Sequence, residues 1–263
     1  GGVAEDITAA KDAEERLLKL AHYDHLTDLP NRKYFDDSLD RVIAQAREGN
    51  RIVAVLLLDL DRFKTVNDTL GHATGDELLR QVAGRLLEHV RVRDVVGRLG
   101  GDEFGLVLQS LDGVQSAGTV AGNILRALKA PFDIGGRELF ITASIGIAAC
   151  PADARDRDSL LRYADTAMYQ AKAEGRATFR FYTERLNAHA AEKLEMEGLL
   201  RRALERDEFL LHYQPKLDLG SGKVVGAEAL LRWQRPGAGM VSPGEFIPLL
   251  EDRKSTRLNS SHG

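Results

Sequence analysis

One run of residues limits what this chain can fold into more than any other. Arg51 to Leu58, R-I-V-A-V-L-L-L, places seven apolar side chains in succession. A strand with one wet face would alternate, and this stretch does not. Its length and its Val and Ile content predict a central strand buried on both faces, in a sheet covered by helices. The run then ends in Asp59-Leu60-Asp61. Burying unpaired carboxylates costs several kcal/mol, so both acids need a cation, a hydrogen-bond network or a helix to cap. Strand alternation puts the two on the same side.

A second acid pair lies downstream in R-V-R-D-V-V-G-R-L-G-G-D-E-F, Arg91 to Phe104. Gly100-Gly101 predicts the tight turn of a hairpin, because both central positions of such a turn can require positive φ. Phe104, Leu106 and Leu108 then alternate along the exit strand. Asp102 and Glu103 sit where that strand leaves its turn. Two acids beside a turn are ordinarily solvated. Opposed to Asp59 and Asp61, they would instead offer hard oxygen ligands to a magnesium ion.

Around these two features the chain reads as alternating helices and strands. In D-H-L-T-D-L-P-N-R, Asp24 to Arg32, Pro30 breaks any helix and Asn31 can cap the next, Lys33 to Ala46. Phe63 to Leu70 and Asp76 to Val90 read as two helices broken at Gly71 to Gly75, with Leu78, Leu79, Val82, Leu86 and Val90 as the second helix's apolar stripe. Asn67 and Asp76 are candidate base readers, since an amide plus a carboxylate matches guanine's edge; His72 reads as a local hydrogen-bonding residue. A helix Gly113 to Leu128, a strand pair ending in Phe140 to Ala149 and a helix Ser159 to Glu174 follow. Lys172 and Arg176 are four apart, on one face if the helix runs that far, with Gly175 ending it. They either complement the helix dipole or grip a polyphosphate.

Size and charge narrow the classes. The 263 residues hold one full domain and part of another, and 43% apolar with 29% charged residues is a globular balance. A net charge of −4 does not support a nucleic-acid surface. The single cysteine, Cys150, forms no internal disulfide, reads as a buried strand-end residue and fits a cytoplasmic setting. No apolar run approaches the ~20 residues of a membrane helix, although a full-length parent could be membrane-associated. Residues 5 to 20 read as a charged helix with a narrow stripe at Ala10, Ala13, Leu17 and Leu20, suited to pairing with a second copy or left as a solvated linker.

Together these motifs resemble a GGDEF domain, a diguanylate cyclase. The resemblance is carried by D-L-D-R-F-K-T-V-N-D-T-L-G-H-A-T-G-D from Asp59, by G-G-D-E-F from Gly100, by D-H-L-T-D-L-P-N-R and by Y-Q-A-K-A-E-G-R from Tyr169. It implies an α/β fold, a ferredoxin-like core of the nucleotidyl cyclase and palm type with helices around a mostly antiparallel sheet. It implies conversion of two GTP into cyclic di-GMP and pyrophosphate by a homodimer, one GTP per domain. By the same resemblance Asp59, Asp102, Glu103 and the Leu60 carbonyl ligate Mg²⁺ (or Mn²⁺), and Asp102, aided by Glu103, accepts the proton. Phe63, Lys64, Asn67, His72, Asp76, Gly101, Lys172 and Arg176 form the substrate site, with Asn67 and Asp76 on guanine and Lys64, Lys172 and Arg176 on phosphates. Arg91 and Asp94, an R-x-x-D five residues before Gly100, match a product-inhibition site for cyclic di-GMP, in which Arg91 would fork onto a phosphate and Asp94 would contact a guanine or hold the arginine. The D-I-T and K-x-A-E of residues 1–20 resemble the join to an upstream PAS sensor.

The remainder resembles the start of an EAL domain, a cyclic di-GMP phosphodiesterase on a TIM-like barrel. Here F-L-L-H-Y-Q-P-K-L-D-L and V-V-G-A-E-A-L-L-R-W read as a strand pair, with Glu228 as a metal ligand and Gln214 and Arg232 as substrate contacts by resemblance. A barrel needs about 250 residues, so this incomplete part is expected to lack phosphodiesterase activity. The expected division is 1–20 linker, 21–182 GGDEF, 183–251 EAL start and 252–263 a tail. That tail, D-R-K-S-T-R-L-N-S-S-H, reads as a translated short-read sequencing adapter, and the natural frame is expected to continue through a whole EAL domain. Two other readings stay open. A catalytically silent GTP- or cyclic di-GMP-binding module controlling the EAL domain would ordinarily show damaged acids. Another palm-type cyclase would show an altered base-reading pair.

Overall fold

The computed structural model describes residues 19–49, 51–184, 196, 198–237, 239–247 and 249–250. The expected linker helix up to residue 18 and the tail from 252 lie outside these residues. The chain divides into two compact units, 1–187 and 188–263.

In the first unit, α1 (Arg32–Gly49) leads into β1 (Ile52–Asp61), α2 (Phe63–Leu70), α3 (His72–Leu87) and the hairpin β2 (Val95–Gly100) and β3 (Glu103–Leu111). Then come α4 (Gln115–Leu128), a short ribbon β4 (Phe132–Ile134) with β5 (Arg137–Leu139), β6 (Thr142–Cys150), α5 (Arg157–Ala173) and β7 (Phe179–Phe181). The main sheet runs β2-β3-β1-β6-β7, antiparallel except for the parallel β6–β7 pair. The apolar run therefore forms the middle strand, as expected, and its pairing carries on through both acids to Asp61. Cys150 is the buried last residue of β6.

Alternation along β1 builds two cores. Ala54, Leu56, Leu58 and Leu60 face α3 and α4, while Val53, Val55 and Leu57 face α1 and α5. On the second face α5 packs so closely over β6 that a Cβ at Gly146 would collide with the Ala164 carbonyl and the Met168 nitrogen. Only glycine permits that approach, and it sets the height of α5 above the sheet.

Some boundaries differ from expectation. The helix expected from Asp76 to Val90 starts at His72 and ends at Leu87, so Gly71 alone breaks it from α2 and Gly75 lies inside it. The hairpin turn also moves by one residue. Gly100 still pairs, opposite Glu103, so the two turn residues are Gly101 and Asp102.

In the second unit, β8 (Phe209–Leu217), β9 (Val224–Arg235) and β10 (Gly239–Val241) form an antiparallel sheet in the order β10-β9-β8. Its small core is Leu200, Ala203, Trp233 and Phe246, and the Trp233 indole donates to Glu208 at 3.0 Å.

Candidate functional site

The site forms where β1 ends beside the β2–β3 turn. Asp59 pairs with Glu103 across the strands, and Leu60 N–H donates to the Asp102 carbonyl at 3.3 Å. The reciprocal bond from Asp102 is not formed. In an antiparallel strand a residue's N–H and C=O point the same way, so the Leu60 carbonyl faces the hairpin with an open lone pair. Sheet register thus gathers Asp59, Leu60, Asp102 and Glu103.

Asp59 is held by α5, whose Lys172 ammonium lies 2.7 Å from its carboxylate. Burial pushes the Asp59 carboxyl above the usual range, Lys172 pulls it back, and the nearby charges of Asp102 and Glu103 add to the rise. Among the described residues no three His, Cys, Asp or Glu side chains form a metal cage. Magnesium is commonly bound by one or two carboxylates plus substrate phosphates, so Asp59, Asp102 and the free Leu60 carbonyl are a fitting donor set.

Asp61 shares the face of Asp59 but is spent differently. It is 7% exposed, and its carboxylate accepts from Thr142 Oγ1 and Ser144 Oγ, both at 2.7 Å, and from Ala177 N–H at 3.1 Å. It does not face the hairpin acids as a magnesium constellation of two acid pairs would require.

Beyond β1, Arg62 adopts φ 60° and α2 starts with no side-chain cap, which leaves its first N–H groups open to an anion. Phe63 is buried in the core and can serve a ligand only through its backbone, whereas Lys64 is exposed. Asn67 lies under the start of α3, and a Cβ on Gly75 would collide with its Oδ1. That oxygen is buried without a hydrogen-bond partner. An unsatisfied buried amide is costly and suits a ligand that supplies the donor. His72 and Asp76 are exposed on the first turns of α3.

Lys172 and Arg176 do not share a helix face. The helix α5 ends at Ala173, Glu174 is its C-cap, and Arg176 N–H returns to the Ala171 carbonyl at 3.1 Å, closing a Schellman motif. Gly175, Arg176 and Ala177 then have φ of 112°, 65° and 51°. Arg176 is thus exposed on a turn while Lys172 reaches inward.

The sequence reading missed what braces the hairpin. Arg98 donates to the Gly101 carbonyl at 2.8 and 3.1 Å and to both oxygens of Asp24, at 3.0 and 3.2 Å. Burial tends to raise the Asp24 carboxyl, but hydrogen bonds from Thr27 and the Arg98 guanidinium outweigh it and hold it below the usual range. Arg32 adds bonds to the Leu99 carbonyl at 3.2 Å and to Glu103 at 3.5 Å. Beside Glu103 a cavity of about 290 Å³ runs along α5, lined by Arg32, Leu99, Arg162 and Asp165. It does not reach Asn67 or Asp76.

Asp94 does not grip the Arg91 guanidinium. Its carboxylate takes the backbone N–H of Arg91 and of Gln109, each at 2.9 Å, which fixes the loop and leaves the exposed Arg91 side chain projecting. In the second unit Gln214 pairs directly with Glu228, and Arg232 follows four residues along the same strand. Glu228 is exposed and 3.3 Å from Lys216.

Comparison with known proteins supplies a family. Residues 21–178 match the model described as diguanylate cyclase, GGDEF domain, and residues 198–261 match that of the EAL domain. Among curated relatives, the bifunctional diguanylate cyclase/cyclic di-GMP phosphodiesterase MucR of Pseudomonas aeruginosa is 45% identical over 93% of this chain and 36% of its own length. The cyclic di-GMP phosphodiesterase PdeR of Escherichia coli is 43% identical over 94% of this chain and 37% of its own. The chain thus spans little more than a third of these relatives. Among solved structures, the GGDEF domain of YfiN (TpbB) from Pseudomonas aeruginosa is 40% identical with a TM-score of 0.64, over 65% of this chain and 99% of that one. The coiled coil and GGDEF domain of DgcB from Caulobacter crescentus, in complex with c-di-GMP, is 30% identical with a TM-score of 0.61, over 67% of this chain and 93% of that one.

Proposed function

The chain belongs to the GGDEF diguanylate cyclase family, and from that premise we propose that its first unit condenses two GTP into cyclic di-GMP and pyrophosphate. The observation that carries this reading is the meeting of Asp59, the free Leu60 carbonyl, Asp102 and Glu103 at one strand end, with the unsatisfied Asn67 amide beyond it. In each half-reaction a ribose 3′-hydroxyl attacks an α-phosphate and pyrophosphate leaves. Asp102, aided by Glu103, takes the hydroxyl proton. Asn67 and Asp76 read the guanine edge beside His72, while the backbone at Phe63 and the side chains of Lys64, Lys172 and Arg176 hold the phosphates. The turn at Gly101 has no Cβ to keep those phosphates away. A magnesium or manganese ion held by Asp59, Leu60, Asp102 and Glu103 would neutralise charge building on the transferred phosphate. One domain holds one GTP, so the active form is a homodimer with two sites face to face. Arg91, on the loop that Asp94 fixes, would bind a phosphate of cyclic di-GMP and give product inhibition. In the full-length protein an upstream sensor would govern the pairing.

The relatives' names include a phosphodiesterase, which favours one second reading, a silent GTP- or cyclic di-GMP-binding module that regulates the EAL part. Incubating the chain with GTP and Mg²⁺, with chromatography for cyclic di-GMP, separates the two. Product from the chain and a drop of at least about 100-fold in Asp102→Asn are expected for a proton acceptor and metal ligand. Nucleotide binding without product, persisting in a forced dimer, would instead establish the regulatory module.

A further inference from the structure

We propose that Asp61 is a positioning residue, whose buried carboxylate fixes the left-handed turn that presents Arg176 to the phosphates. The inference rests on the reading of Arg176 as a phosphate contact and adds a role for the second acid of the Asp59-Leu60-Asp61 run.

Among the described residues the buried polar side chains are Ser38, Asp61 and Ser144, and Asp61 is the one carboxylate. No lysine or arginine pairs with it among those residues. Its charge is instead compensated by three donors, the Thr142 and Ser144 hydroxyls on β6 and the Ala177 N–H. Three of the four carboxylate lone pairs are in use, one on Oδ1 and two on Oδ2, so this acid is committed to holding its three donors. Asp59 and Asp61 thus divide the work, the first facing Lys172 and the hairpin acids, the second holding backbone.

What it holds is a segment that needs holding. Arg176 and Ala177 are consecutive non-glycine residues at positive φ, a conformation L-residues adopt only where their surroundings fix it. Three anchors do so. Arg176 N–H is tied to the Ala171 carbonyl, and Ala177 N–H to Asp61. Just beyond, Ile145 N–H donates to the Thr178 carbonyl at 3.0 Å, where β7 joins β6. The helix bond and the sheet bond belong to regular structure on either side. Asp61 supplies the tie between them, directly after Arg176, from the same strand end that carries Asp59. One rigid strand therefore sets the place of both the metal-facing acid and the phosphate-facing arginine.

The test uses the full chain with Asp61→Asn, Asp61→Ala, Arg176→Ala and the Asp61→Asn/Arg176→Ala double variant. Asparagine keeps the volume and one acceptor oxygen, so it guards against a variant that merely unfolds. Cyclic di-GMP formation is followed against GTP and against Mg²⁺, and amide hydrogen exchange is followed over residues 174–179. Asp61→Asn is expected to raise KM for GTP by about tenfold, the scale of one charge-assisted hydrogen bond, with a smaller change in kcat. The Mg²⁺ concentration for half activity should not move, and exchange at 174–179 should speed up while β1 stays protected. The double variant should be no worse than Arg176→Ala alone. Losses that add in the double variant, a shift in Mg²⁺ dependence at unchanged KM, or unaltered exchange at 174–179 would each overturn the proposal. A wild-type chain that makes no product would sink the activity reading alone, because the exchange measurement still decides whether Asp61 pins the turn.

Discussion

Two long strands of this protein are apolar in most of their residues, eight of ten in β1 and seven of twelve in β9, and have opposite fates. In β1, eight of ten residues are buried. In β9, V-V-G-A-E-A-L-L-R-W-Q-R, only Trp233 of twelve is. Composition alone does not produce the difference, since Leu211, Val224 and Val225 stay exposed where every apolar residue of β1 is sheltered; neighbours complete it. Flanked by β3 and β6, β1 is covered by α1 and α5 on one face and by α3 and α4 on the other. The β8–β9 ribbon has its small core around Trp233 and leaves Leu211, Val224 and Val225 more than half exposed. Exposed apolar strands of this kind are open to pairing with other chains. The strand fixed on both faces is the one that ends in Asp59 and Asp61 and holds both acids in one arrangement.

The contrast can be broken at the packing of α5. Replacing Gly146 by valine puts a branched side chain into the Ala164 and Met168 backbone, and a loss of at least about 3 kcal/mol is expected in urea unfolding, beyond the usual overpacking range because backbone must move. Gly226 in β9 has open space at its Cβ position, and the same substitution there should leave the first unit's transition where it was. A smaller effect sharpens the contrast. Leu56→Ala in β1 should cost about 2–5 kcal/mol and Leu211→Ala in β8 within about 0.5 kcal/mol, read from the same unfolding curves. Equal losses would mean that the ribbon is covered in solution.

The smallest effect concerns the hairpin brace. Because the folded Asp24 carboxyl lies below its ordinary 3.8, its stabilising contribution is complete above that value and is lost as pH falls through the lower folded value. Asp24→Asn should therefore cost about 1–2 kcal/mol at neutral pH and flatten the stability profile below pH ~4. An unchanged acid limb in the variant would show that Arg98 braces the turn through Gly101 alone.

Much of the fold was legible because its signals are local. The two-faced burial of β1, the hairpin near Gly100-Gly101 and the strand pair around Gly220 to Lys223 each follow from one contiguous stretch of about 25 residues or fewer. The acids of the site were legible because carboxylates are improbable at the end of such a strand. Partners across long separations were not. Arg98 meets Asp24 across 74 positions and Ala177 meets Asp61 across 116, and neither leaves a periodic trace. One signal for Asp61 was present: Thr142 and Ser144 recur at a spacing of two within an otherwise apolar strand, so both hydroxyls lie on one face. Lys172 and Arg176 share a helix face only if the helix runs that far; Gly175, legible as its end, stands at C′, and Arg176 lies beyond it.

The order of strands also has a consequence for the newly made chain. The middle strand β1 is complete at Asp61, yet its partners β3 and β6 begin at Glu103 and Thr142. The first is about 40 residues away and the second about 80, so at ~5–20 residues per second the most apolar segment waits several seconds for its neighbours during synthesis. Until β3 is made, α2 and α3 are the later helices able to shelter it, and both belong to the guanine side of the proposed site; α4 follows before β6. The ribosome therefore delivers Asp59, Leu60, Asn67 and Asp76 of the proposed site together, well before Asp102, Glu103, Lys172 and Arg176.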